Sequence, residues 1–374
     1  MRVLVVTPWF PSRMHTGSGV FNLRDAEMIA AKHDVRVLHL IRPDWFLETE
    51  ESRSDLDVRR VPFSITEPRT WARARRAIRD ELAGAELLHT MAFPALVPFS
   101  GVRVRVPWLH TEHWSGLTKP LGGLKAMLKR LLFRRLRRPD VVVAVSESLA
   151  DTIRPWCRSV PLIIENAVPM PERGCMSEPF TSGASLRLIS VGGLVAHKGP
   201  IAAVQATAEL VRRGFDAHLR WVGQGADRAE VEAAIVETGL SARVQLVGQV
   251  DRTELEHHLL SSHVFMLPTA GETFGIALAE ALACGLPVVT SGTGGHTFMI
   301  KDFDAAKVAH RNPSDLADAV EELLAQDNAD LRRATTLRAR ERFSENRRIE
   351  AYAAAYEATF AGMSSRPRTN HSWR

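Results

Sequence analysis

The sequence is poor in the features that mark several classes of protein. Its three cysteines are widely spaced, with no Cys-x-x-Cys pair and no metal-ligand spacing, so reduced thiols in a cytoplasmic protein are expected. No stretch approaches about 20 consecutive apolar residues, the length of a membrane-spanning helix. The N-terminal MRVLVVTPWF has one arginine and a very short apolar run, which predicts a first strand rather than a signal peptide. There is no internal repeat of the solenoid kind.

The composition is that of a globular protein with more than one core. Apolar residues make up 45% and charged residues 24% of the chain, as in ordinary folded domains. A length of 374 residues is too great for one ordinary core and suits two domains. The net charge of +5 and the pI near 9.4 are mildly basic, which fits an anionic substrate or membrane surface without identifying either.

Residues 264–291, VFMLPTAGETFGIALAEALACGLPVVTS, predict half of a parallel α/β sheet. An apolar strand ends at Pro268, and a helix opens near Thr273 to Gly275. Gly285 and Pro287 stop this helix before a second apolar strand. Strands alternate with helices along the rest of the chain as well, which predicts two α/β/α domains.

Two acids accompany that helix. Glu272 lies at its mouth and Glu280 eight residues later, so at about 3.6 residues per turn both carboxylates are expected towards one side of the element. The N–H groups that open the helix suit an anion such as a diphosphate, and a carboxylate at Glu280 suits a vicinal diol. The simpler interpretation of two isolated acids is that Glu272 complements the dipole at the helix N-terminus and Glu280 is a solvated helix residue. The opening N–H groups belong to Thr273, Phe274, Gly275 and Ile276.

Glu272 and Glu280, inside GETFGIALAEALACGLPVV, resemble the signature of family 4 of the retaining glycosyltransferases. This resemblance implies the GT-B fold, an α/β architecture in which two Rossmann-like α/β/α domains face each other across a cleft. It extends over nearly the whole chain and is strongest over residues 191–295. The family's final helix crosses back onto the first domain; residues 345–361 are assigned to it, and Gly362 is placed to end it.

The predicted domain bounds follow from this fold. Residues 1–168, with the crossover helix, form an acceptor-binding domain, and residues 185–344 form a nucleotide-sugar-binding domain. Residues 169–184 contain Pro, Gly and Ser without an apolar period and are predicted to be a linker. Residues 362–374 are predicted to be a disordered tail.

The resemblance also assigns residues of the first domain. In the family a glycine-containing loop after the first strand faces the donor phosphates, and Gly17 and Gly19 match it in position. A mere tight turn is the alternative. A histidine at a later strand end lies near the transferred sugar in the family, and His113 is its match. His110 is the competing candidate, or a hydrogen-bonded structural histidine.

In the second domain, the loops after the first two strands resemble donor-binding loops of the family. Gly193 and Lys198 lie in the first loop, and Gly223 and Gly225 in the second. A lysine beside a glycine turn can meet a diphosphate as a point charge, so Lys198 is expected to bind the diphosphate.

Two departures from the family pattern concern the donor site. Gly193 stands where arginine is common, so half of the usual Arg/Lys clamp on the diphosphate is missing or is supplied from elsewhere. Arg13 and Arg24 are candidate stand-ins. The Gly294-Gly295 pair resembles another family loop, but His296 follows in place of the acid that is common there. Some change in donor contacts is expected at this loop.

The function implied is transfer of a sugar from a nucleotide diphosphate donor, UDP- or GDP-linked, to an acceptor hydroxyl with retention of the anomeric configuration. The expected catalytic residues are His113, Lys198 and Glu272, with Glu272 on the sugar hydroxyls and Lys198 on the departing diphosphate. Glu280 would hold the ribose hydroxyls. No DxD-type metal motif is placed at a strand end, so neither a metal ion nor a cofactor beyond the nucleotide sugar is expected.

The expected acceptor is a glycan, a lipid-linked intermediate or a small molecule, in polysaccharide, glycolipid or natural-product glycoside synthesis. No nucleic-acid partner is expected. Residues 122–138, GGLKAMLKRLLFRRLRR, have leucines at helical spacing and a basic opposite face, which suits an anionic membrane surface. A core-packed helix with a solvated basic face is the alternative. The expected location is the cytoplasm, with or without peripheral contact to the inner face of the membrane.

Two other functions stay open on the sequence. A nucleotide-sugar 2-epimerase shares the two-domain fold and the donor but needs no acceptor, so conversion of the donor alone would reveal it. A non-catalytic partner of another transferase is kept open by Gly193 and the altered loop at Gly295. Retention of Lys198, Glu272 and Glu280 together argues against it. The nucleotide base, the sugar and the acceptor do not follow from the sequence.

Overall fold

The computed structural model describes residues 1–13, 15, 17–47, 55–117, 123, 130–172 and 175–364. The chain divides into two compact units, one formed by Met1–Glu165 with the chain from Arg348 onward, the other by Asn166–Arg347. Residues 122 and 124–129 of the basic segment and all of the chain beyond residue 364 lie outside the described residues.

The first unit alternates strands with helices. Its strands are β1 (Arg2–Thr7), β2 (Asp34–Ile41), β3 (Asp57–Pro62), β4 (Leu87–Met91), β5 (Trp108–Glu112), β6 (Val141–Ala144) and β7 (Leu162–Ile163). Between them lie α1 (Val20–Ala30), α2 (Pro68–Leu82) and α3 (Glu147–Ile153). Short 3-10 helices cover Pro43–Trp45, Phe93–Phe99, Ser115–Leu117, Arg134–Arg137 and Arg154–Trp156.

The second unit repeats this alternation. Its strands are β8 (Leu186–Val191), β9 (Ala217–Val222), β10 (Val244–Gly248), β11 (Val264–Leu267), β12 (Val288–Ser291) and β13 (Ala306–Ala309). Its helices are α4 (Pro200–Arg212), α5 (Arg228–Glu237), α6 (Arg252–Leu260), α7 (Ile276–Ala283), α8 (Gly295–Met299), α9 (Pro313–Gln326) and α10 (Ala329–Phe343), with 3-10 helices at Ala196–Lys198 and Ile300–Asp302. The last helix, α11 (Glu345–Ser364), belongs to the first unit from Arg348 onward.

The two sheets share one strand order, and all their paired strands are parallel. The first sheet runs β3-β2-β1-β4-β5-β6-β7 and the second β10-β9-β8-β11-β12-β13. In each sheet the order in which successive strands are added changes direction once. This winding reversal lies between β1 and β4 in the first sheet and between β8 and β11 in the second. A strand that is covered on both faces has an uninterrupted apolar sequence. Strand β11, VFML, is buried along its whole length and shows this pattern.

The core of the first unit lies between one face of its sheet and the helices α1 and α11. Alternate residues of β1, Val3 and Val5, share this core with Tyr352 and Tyr356 of α11. The final helix therefore packs onto the first unit, as the fold class predicts. It continues through Gly362 to Ser364, so the prediction that Gly362 ends it is wrong. A glycine costs a helix only about 1 kcal/mol, which packing of the same helix can outweigh.

The segment predicted as a linker is held to the second unit by a buried arginine. Arg332 and Asp327 form a fully buried ion pair at 2.7 Å, and Arg332 also donates to the carbonyl oxygen of His263 at 2.8 Å. A further bond goes from Arg332 to the hydroxyl of Ser177, which itself donates to the Cys284 carbonyl at 3.1 Å. Residues 175–184 are thus part of the second unit's packed structure.

Sequence periodicity missed the elements with weak apolar patterns. Helix α5 buries only Val231, Ala234 and Ile235, and strand β13 is partly exposed along its length, so neither shows a continuous apolar face or run. No helix in the described part of the chain is long and apolar enough to cross a membrane.

Acidification is expected to destabilise the first unit through His89. The ring is buried and hydrogen-bonded to the hydroxyls of Tyr356 and Thr111, at 3.0 and 2.8 Å. Burial lowers the pKa of His89 to about 3. Above pH ~6.5 neither the folded nor the unfolded state is protonated here; below it only the unfolded state gains the proton. The free energy of unfolding should then fall by about 1.4 kcal/mol per pH unit towards pH ~3.

Urea unfolding between pH ~7.5 and ~5 measures this slope. His89→Gln is expected to reduce the slope by about one proton. Tyr356→Phe removes the same hydrogen bond but no group that titrates in this range, so it should lower stability and keep the slope. An unchanged slope in His89→Gln would contradict the role given to His89.

Candidate functional site

The loops after β8 and β11 meet at the carboxyl edge of the second sheet. These strands are neighbours at the place where the winding reverses, and open α/β sheets bind ligands in the crevice there. The backbone ties the loops together, since Ala270 donates its N–H to the carbonyl oxygen of His197 at 2.7 Å. The sheet topology therefore brings residues 192–199 and 268–275 to one place.

Lys198 and Glu272 form an ion pair in these loops. The lysine ammonium contacts Oε1 of Glu272, and both side chains are partly exposed, at 22% and 16%. The hydroxyl of Thr269 lies 3.2 Å from the same carboxylate oxygen and 3.1 Å from the His197 carbonyl oxygen, so its one proton can be donated to either of them. Two of the three predicted catalytic residues are thus in direct contact, and Thr269, which sequence reasoning missed, holds the carboxylate.

Glu272 does not lie on the helix with Glu280, so the helical spacing on which both carboxylates were expected towards one side does not apply to Glu272. Helix α7 begins at Ile276, after Gly275 in a left-handed conformation with φ 97°. Glu272 precedes the helix in a loop whose backbone is fixed by a bond from the Gly295 N–H to the Glu272 carbonyl, at 2.8 Å. Glu280 alone of the two is helical, and it is half-buried.

The start of α7 offers backbone N–H groups. The first intrahelical bond is donated by Ala279 to Gly275, at 3.1 Å, so the N–H groups of Ile276 and the next two residues have no intrahelical acceptor. Thr273, Phe274 and Gly275 come before the helix rather than in it. The Phe274 ring is buried, 5.8 Å from that of Phe343, so only its backbone can face a ligand.

The predicted Gly-x-Gly turn is explained by close packing of backbones. A Cβ on Gly223 would lie 2.1 Å from the carbonyl oxygen of Gly192, and one on Gly225 would lie 2.1 Å from that of Leu194. The loops after β8 and β9 can therefore approach each other only with glycine at both positions. Gly193 differs, because its Cβ would be 3.4 Å from the nearest atom, the Gln224 carbonyl oxygen.

His296 lies in the first turn of α8, at the position where the family pattern has an acid. Its ring is fully buried and donates from Nε2 to the Ser291 carbonyl at 2.9 Å, while its Nδ1 has no hydrogen-bond partner among the described residues. Burial lowers the pKa of His296, so the ring is neutral at pH ~7. The ring also packs close to Gly275, whose Cβ would lie 3.0 Å from the His296 Cβ. A neutral histidine thus supports the start of α7.

In the first unit, the glycine loop precedes α1. Gly19 caps the helix with φ 68°, and its Cβ would lie 2.2 Å from the carbonyl oxygen of Trp9, so glycine is required there. The Asn22 side chain fixes this arrangement with bonds to the Thr7 hydroxyl at 2.9 Å and the Trp9 carbonyl at 2.8 Å. Gly17 lies in the turn before it. The tight turn is real, and the predicted phosphate contact of Gly17 and Gly19 stays a prediction.

The two candidate histidines after β5 have different environments. His110 is fully buried and bonded on both ring nitrogens, to Thr90 at 2.9 Å and to Glu112 at 3.2 Å, which makes it a structural histidine. His113 has a ring 4% exposed, with neither nitrogen hydrogen-bonded within the described residues. Burial, followed by the charge of Arg348, holds the pKa of His113 well below its usual value.

Glu112 organises the turn that carries His113 and was missed by sequence reasoning. One carboxylate oxygen accepts the backbone N–H groups of His113 and Trp114, at 2.9 and 2.8 Å, and the other contacts His110. The only sequence signal was an acid between two histidines. Of the described residues, no group of three or more His, Cys, Asp or Glu side chains is arranged to hold a metal ion.

Gly193 and Gly199 lie in one loop and should respond oppositely to the same substitution. Gly199 has φ 77°, and its Cβ would lie 2.0 Å from the Pro268 carbonyl oxygen, whereas Gly193 has room. Gly199→Ala is expected to cost about 2 kcal/mol or more in the free energy of unfolding, and Gly193→Ala less than about 1 kcal/mol. Urea unfolding followed by circular dichroism measures both. Equal losses would contradict the different packing described for the two glycines.

Two family models match the chain. The model described as Glycosyltransferase Family 4 matches residues 17–169, and the one described as Glycosyl transferases group 1 matches residues 180–348. Together they span most of both compact units.

Several curated relatives match parts of the chain. A 2-deoxystreptamine glucosyltransferase from Streptomyces kanamyceticus is 38% identical over 109 residues, which is 29% of this chain and 28% of that protein. A GDP-mannose-dependent alpha-(1-6)-phosphatidylinositol dimannoside mannosyltransferase from Mycobacterium tuberculosis is 32% identical over 184 residues, 48% of this chain and 47% of that protein. The matching segments span less than half the length of these two relatives.

Solved structures resemble the whole chain at low identity. Sucrose-phosphate synthase from Thermosynechococcus elongatus superposes with a TM-score of 0.78 at 20% identity, covering 96% of this chain and 100% of that one. Anabaena HepE in complex with UDP and glucose gives 0.73 at 16% identity, covering 96% and 99%. At these identities they establish the fold, the GT-B fold of two Rossmann-like domains. With both family models matched, the chain belongs to family 4 of the glycosyltransferases.

Proposed function

We propose that this protein is a retaining glycosyltransferase that transfers a sugar from a nucleotide diphosphate donor to an acceptor hydroxyl. The observation that carries the proposal is the Lys198–Glu272 pair beside the start of α7, at the winding reversal of the second sheet. A cation, a carboxylate and outward N–H groups at this position suit a sugar diphosphate better than an uncharged ligand.

Lys198 is proposed to bind the diphosphate and to stabilise it as it leaves. Its ammonium is partly exposed and is neutralised by one carboxylate, that of Glu272, so a doubly charged diphosphate can compete for it. Fixed donors aimed at a leaving group whose negative charge grows in the transition state lower the barrier most. The N–H groups at the start of α7 would add to this effect, and no metal ion is part of the proposal.

Glu272 and Glu280 have separate proposed roles. A carboxylate released from Lys198 by the diphosphate can accept hydrogen bonds from hydroxyls of the donor sugar, and Thr269 keeps it in place. Glu280, in the helix, is proposed to accept from the ribose hydroxyls. Their different settings, one in a loop and one in a helix, fit two different parts of the donor.

Retention is proposed to occur without a covalent enzyme intermediate. The acceptor oxygen bonds to the anomeric carbon on the face from which the diphosphate departs, the bond from that carbon to the diphosphate oxygen breaks, and the acceptor proton passes to that oxygen. His113, neutral and with unused ring nitrogens, is proposed to hydrogen-bond a hydroxyl of the transferred sugar. His113 is therefore proposed to bind the sugar as a neutral hydrogen-bonding group and not as a positive charge.

The donor and acceptor classes are proposed from the relatives. UDP and GDP are the proposed nucleotides, since the name of one relative specifies GDP-mannose and one structural neighbour is in complex with UDP and glucose. A glycan, a lipid-linked intermediate or an aminocyclitol-like small molecule is the proposed acceptor. Cytoplasmic location and membrane contact through residues 122–138 are also part of the proposal; residues 122 and 124–129 of that segment lie outside the described residues.

A donor titration tests the proposal. Purified protein is titrated with UDP-, GDP-, ADP- and dTDP-sugars in EDTA while thermal unfolding is followed. The correct donor at about 100 times its Kd should add about 2.7 kcal/mol of stability. Glu280→Ala should lose most of this shift, because the ribose contact is gone.

Glu232→Ala is the matched control, since Glu232 pairs with Arg228 on the surface of the same unit, at 2.8 Å, away from the loops of the candidate site. It should keep the full shift. No response to any nucleotide sugar would contradict both the transferase and the 2-epimerase functions and favour a non-catalytic partner. Conversion of the bound donor with no acceptor present, observed by NMR, would favour the epimerase.

A further inference from the structure

A buried carboxylate lies beside His113 in the first unit. Asp25, on α1, is 2% exposed, and its Oδ2 lies 3.7 Å from Nε2 of His113. That separation is longer than a hydrogen bond of about 2.7–3.2 Å. Catalytic hydrogen bonds are often long in a protein without substrate and shorten when substrate binds. The pair is therefore within reach of a hydrogen bond that a small movement of the His113 ring would complete.

Asp25 is held from the opposite side by α11. Arg348 donates to both carboxylate oxygens, from Nε to Oδ1 at 2.6 Å and from Nη2 to Oδ2 at 2.7 Å. The hydroxyl of Tyr352 donates to Oδ2 at 2.9 Å. All three side chains are buried. A bidentate arginine and a tyrosine fix the plane of the carboxylate. Nη2 of Arg348 and the Tyr352 hydroxyl occupy both lone pairs of Oδ2, so a bond from His113 would share one of these positions.

Arg348 is itself fixed by the backbone. Its Nη1 donates to the carbonyl oxygen of Ile164, at 3.1 Å, and to that of Glu165. The guanidinium therefore cannot leave Asp25 without breaking contacts to two consecutive carbonyl groups after β7. This rigidity is what a residue that positions another side chain needs.

His113 is supported everywhere except at its ring nitrogens. Glu112 holds its backbone N–H, and the Phe21 ring lies 4.8 Å from the imidazole. Among the described residues, the charged or titratable groups near the ring include Asp25, Arg348, His110 and His89. A buried imidazole with two unpartnered nitrogens is costly unless a ligand completes its bonds.

We propose that Asp25 is a positioning residue for His113: it accepts the Nε2–H of the ring and so leaves Nδ1 as an acceptor for a hydroxyl of the bound sugar. This rests on the proposed function, which supplies the hydroxyl. A neutral imidazole has one nitrogen that carries the proton and donates, and one that accepts. A hydrogen-bond acceptor placed beside one nitrogen fixes the proton there and leaves the other nitrogen as the acceptor. Arg348 and Tyr352 act one step behind, by holding the carboxylate.

The tautomer of His113 gives a test that needs no activity. In protein with ¹⁵N-labelled histidine, long-range ¹H–¹⁵N correlation spectra distinguish Nε2-protonated from Nδ1-protonated rings; His113→Gln assigns the signal. The wild-type protein at pH ~7.5 is expected to show His113 protonated on Nε2 and not on Nδ1. A ring protonated on Nδ1, or an equal mixture of tautomers, would overturn the proposal without any Asp25 variant.

The same spectra of Asp25 variants test whether Asp25 determines the tautomer of His113. Asp25→Asn is expected to abolish the preference for Nε2–H. Because this change leaves the buried Arg348 without its counterion, Asp25→Asn/Arg348→Gln, which removes both charges, is tested beside it. Asp140→Asn is the matched control: Asp140 is also buried in the first unit, but its carboxylate accepts from the Trp108 N–H, at 2.9 Å. An unchanged tautomer in the folded Asp25 variants would overturn the proposal.

A double-mutant cycle tests the consequence for transfer. Asp25→Asn is expected to lower kcat about tenfold, the effect of one hydrogen bond made in the transition state, with a smaller change in the donor KM. In a His113→Gln background the same substitution should have little further effect. Equal losses in both backgrounds would show that Asp25 does not act through His113. If no donor and acceptor pair supports transfer, the proposed function fails, while the tautomer measurement still decides the role of Asp25.

Discussion

The parallel arrangement of both sheets is the constraint on which the candidate site depends. A parallel strand returns through a helix, so every loop that follows a strand is placed at the same edge of its sheet. In the second unit this brings Lys198, after β8, to Glu272, after β11, although the two residues are 74 positions apart in the chain. Their contact joins the two loops at the place where the winding reverses, which is where the fold class binds ligands.

Close backbone approach makes this edge compact enough to hold a small anion. Gly199, Gly223 and Gly225 each lie where a Cβ would be within about 2 Å of a carbonyl carbon or oxygen. Gly294 does the same against Glu272, at 2.3 Å from its carbonyl oxygen. The glycines therefore build the loops, and in the proposed function the ligand contacts are assigned to Lys198, the acids and the N–H groups. Gly193 has no such packing role, so its departure from the family pattern is a change of chemistry and not of fold.

The fold and the identity of the second unit's polar residues could be predicted from the sequence. Apolar runs locate the buried strands, and the motif around Glu272 locates the ion pair's carboxylate. The position of that carboxylate could not be predicted, because the helix begins four residues later, at Ile276, after a left-handed Gly275 that spacing alone does not reveal. Thr269 was missed because its role depends on the meeting of two loops that are distant in the sequence.

The side chains around His113 could not be predicted from the sequence. Asp25 and Arg348 are 323 residues apart and meet only because α11 returns to the first unit. Short-range spacing could nominate both His110 and His113 but could not separate them. Burial and hydrogen bonding separate them, since one ring is fully bonded and the other is not. Contacts that depend on the return of a distant helix are the part of a site that needs coordinates.

Amide hydrogen exchange with and without the donor tests the central claim most directly, because it reports where the nucleotide sugar binds. The donor is expected to slow exchange in peptides covering residues 192–199 and 268–280 of the second unit. Lys198→Met is expected to remove this protection at the same donor concentration. Protection that leaves both of these segments unaffected, in a protein that still binds the donor, would contradict the placement of the diphosphate at the Lys198–Glu272 edge.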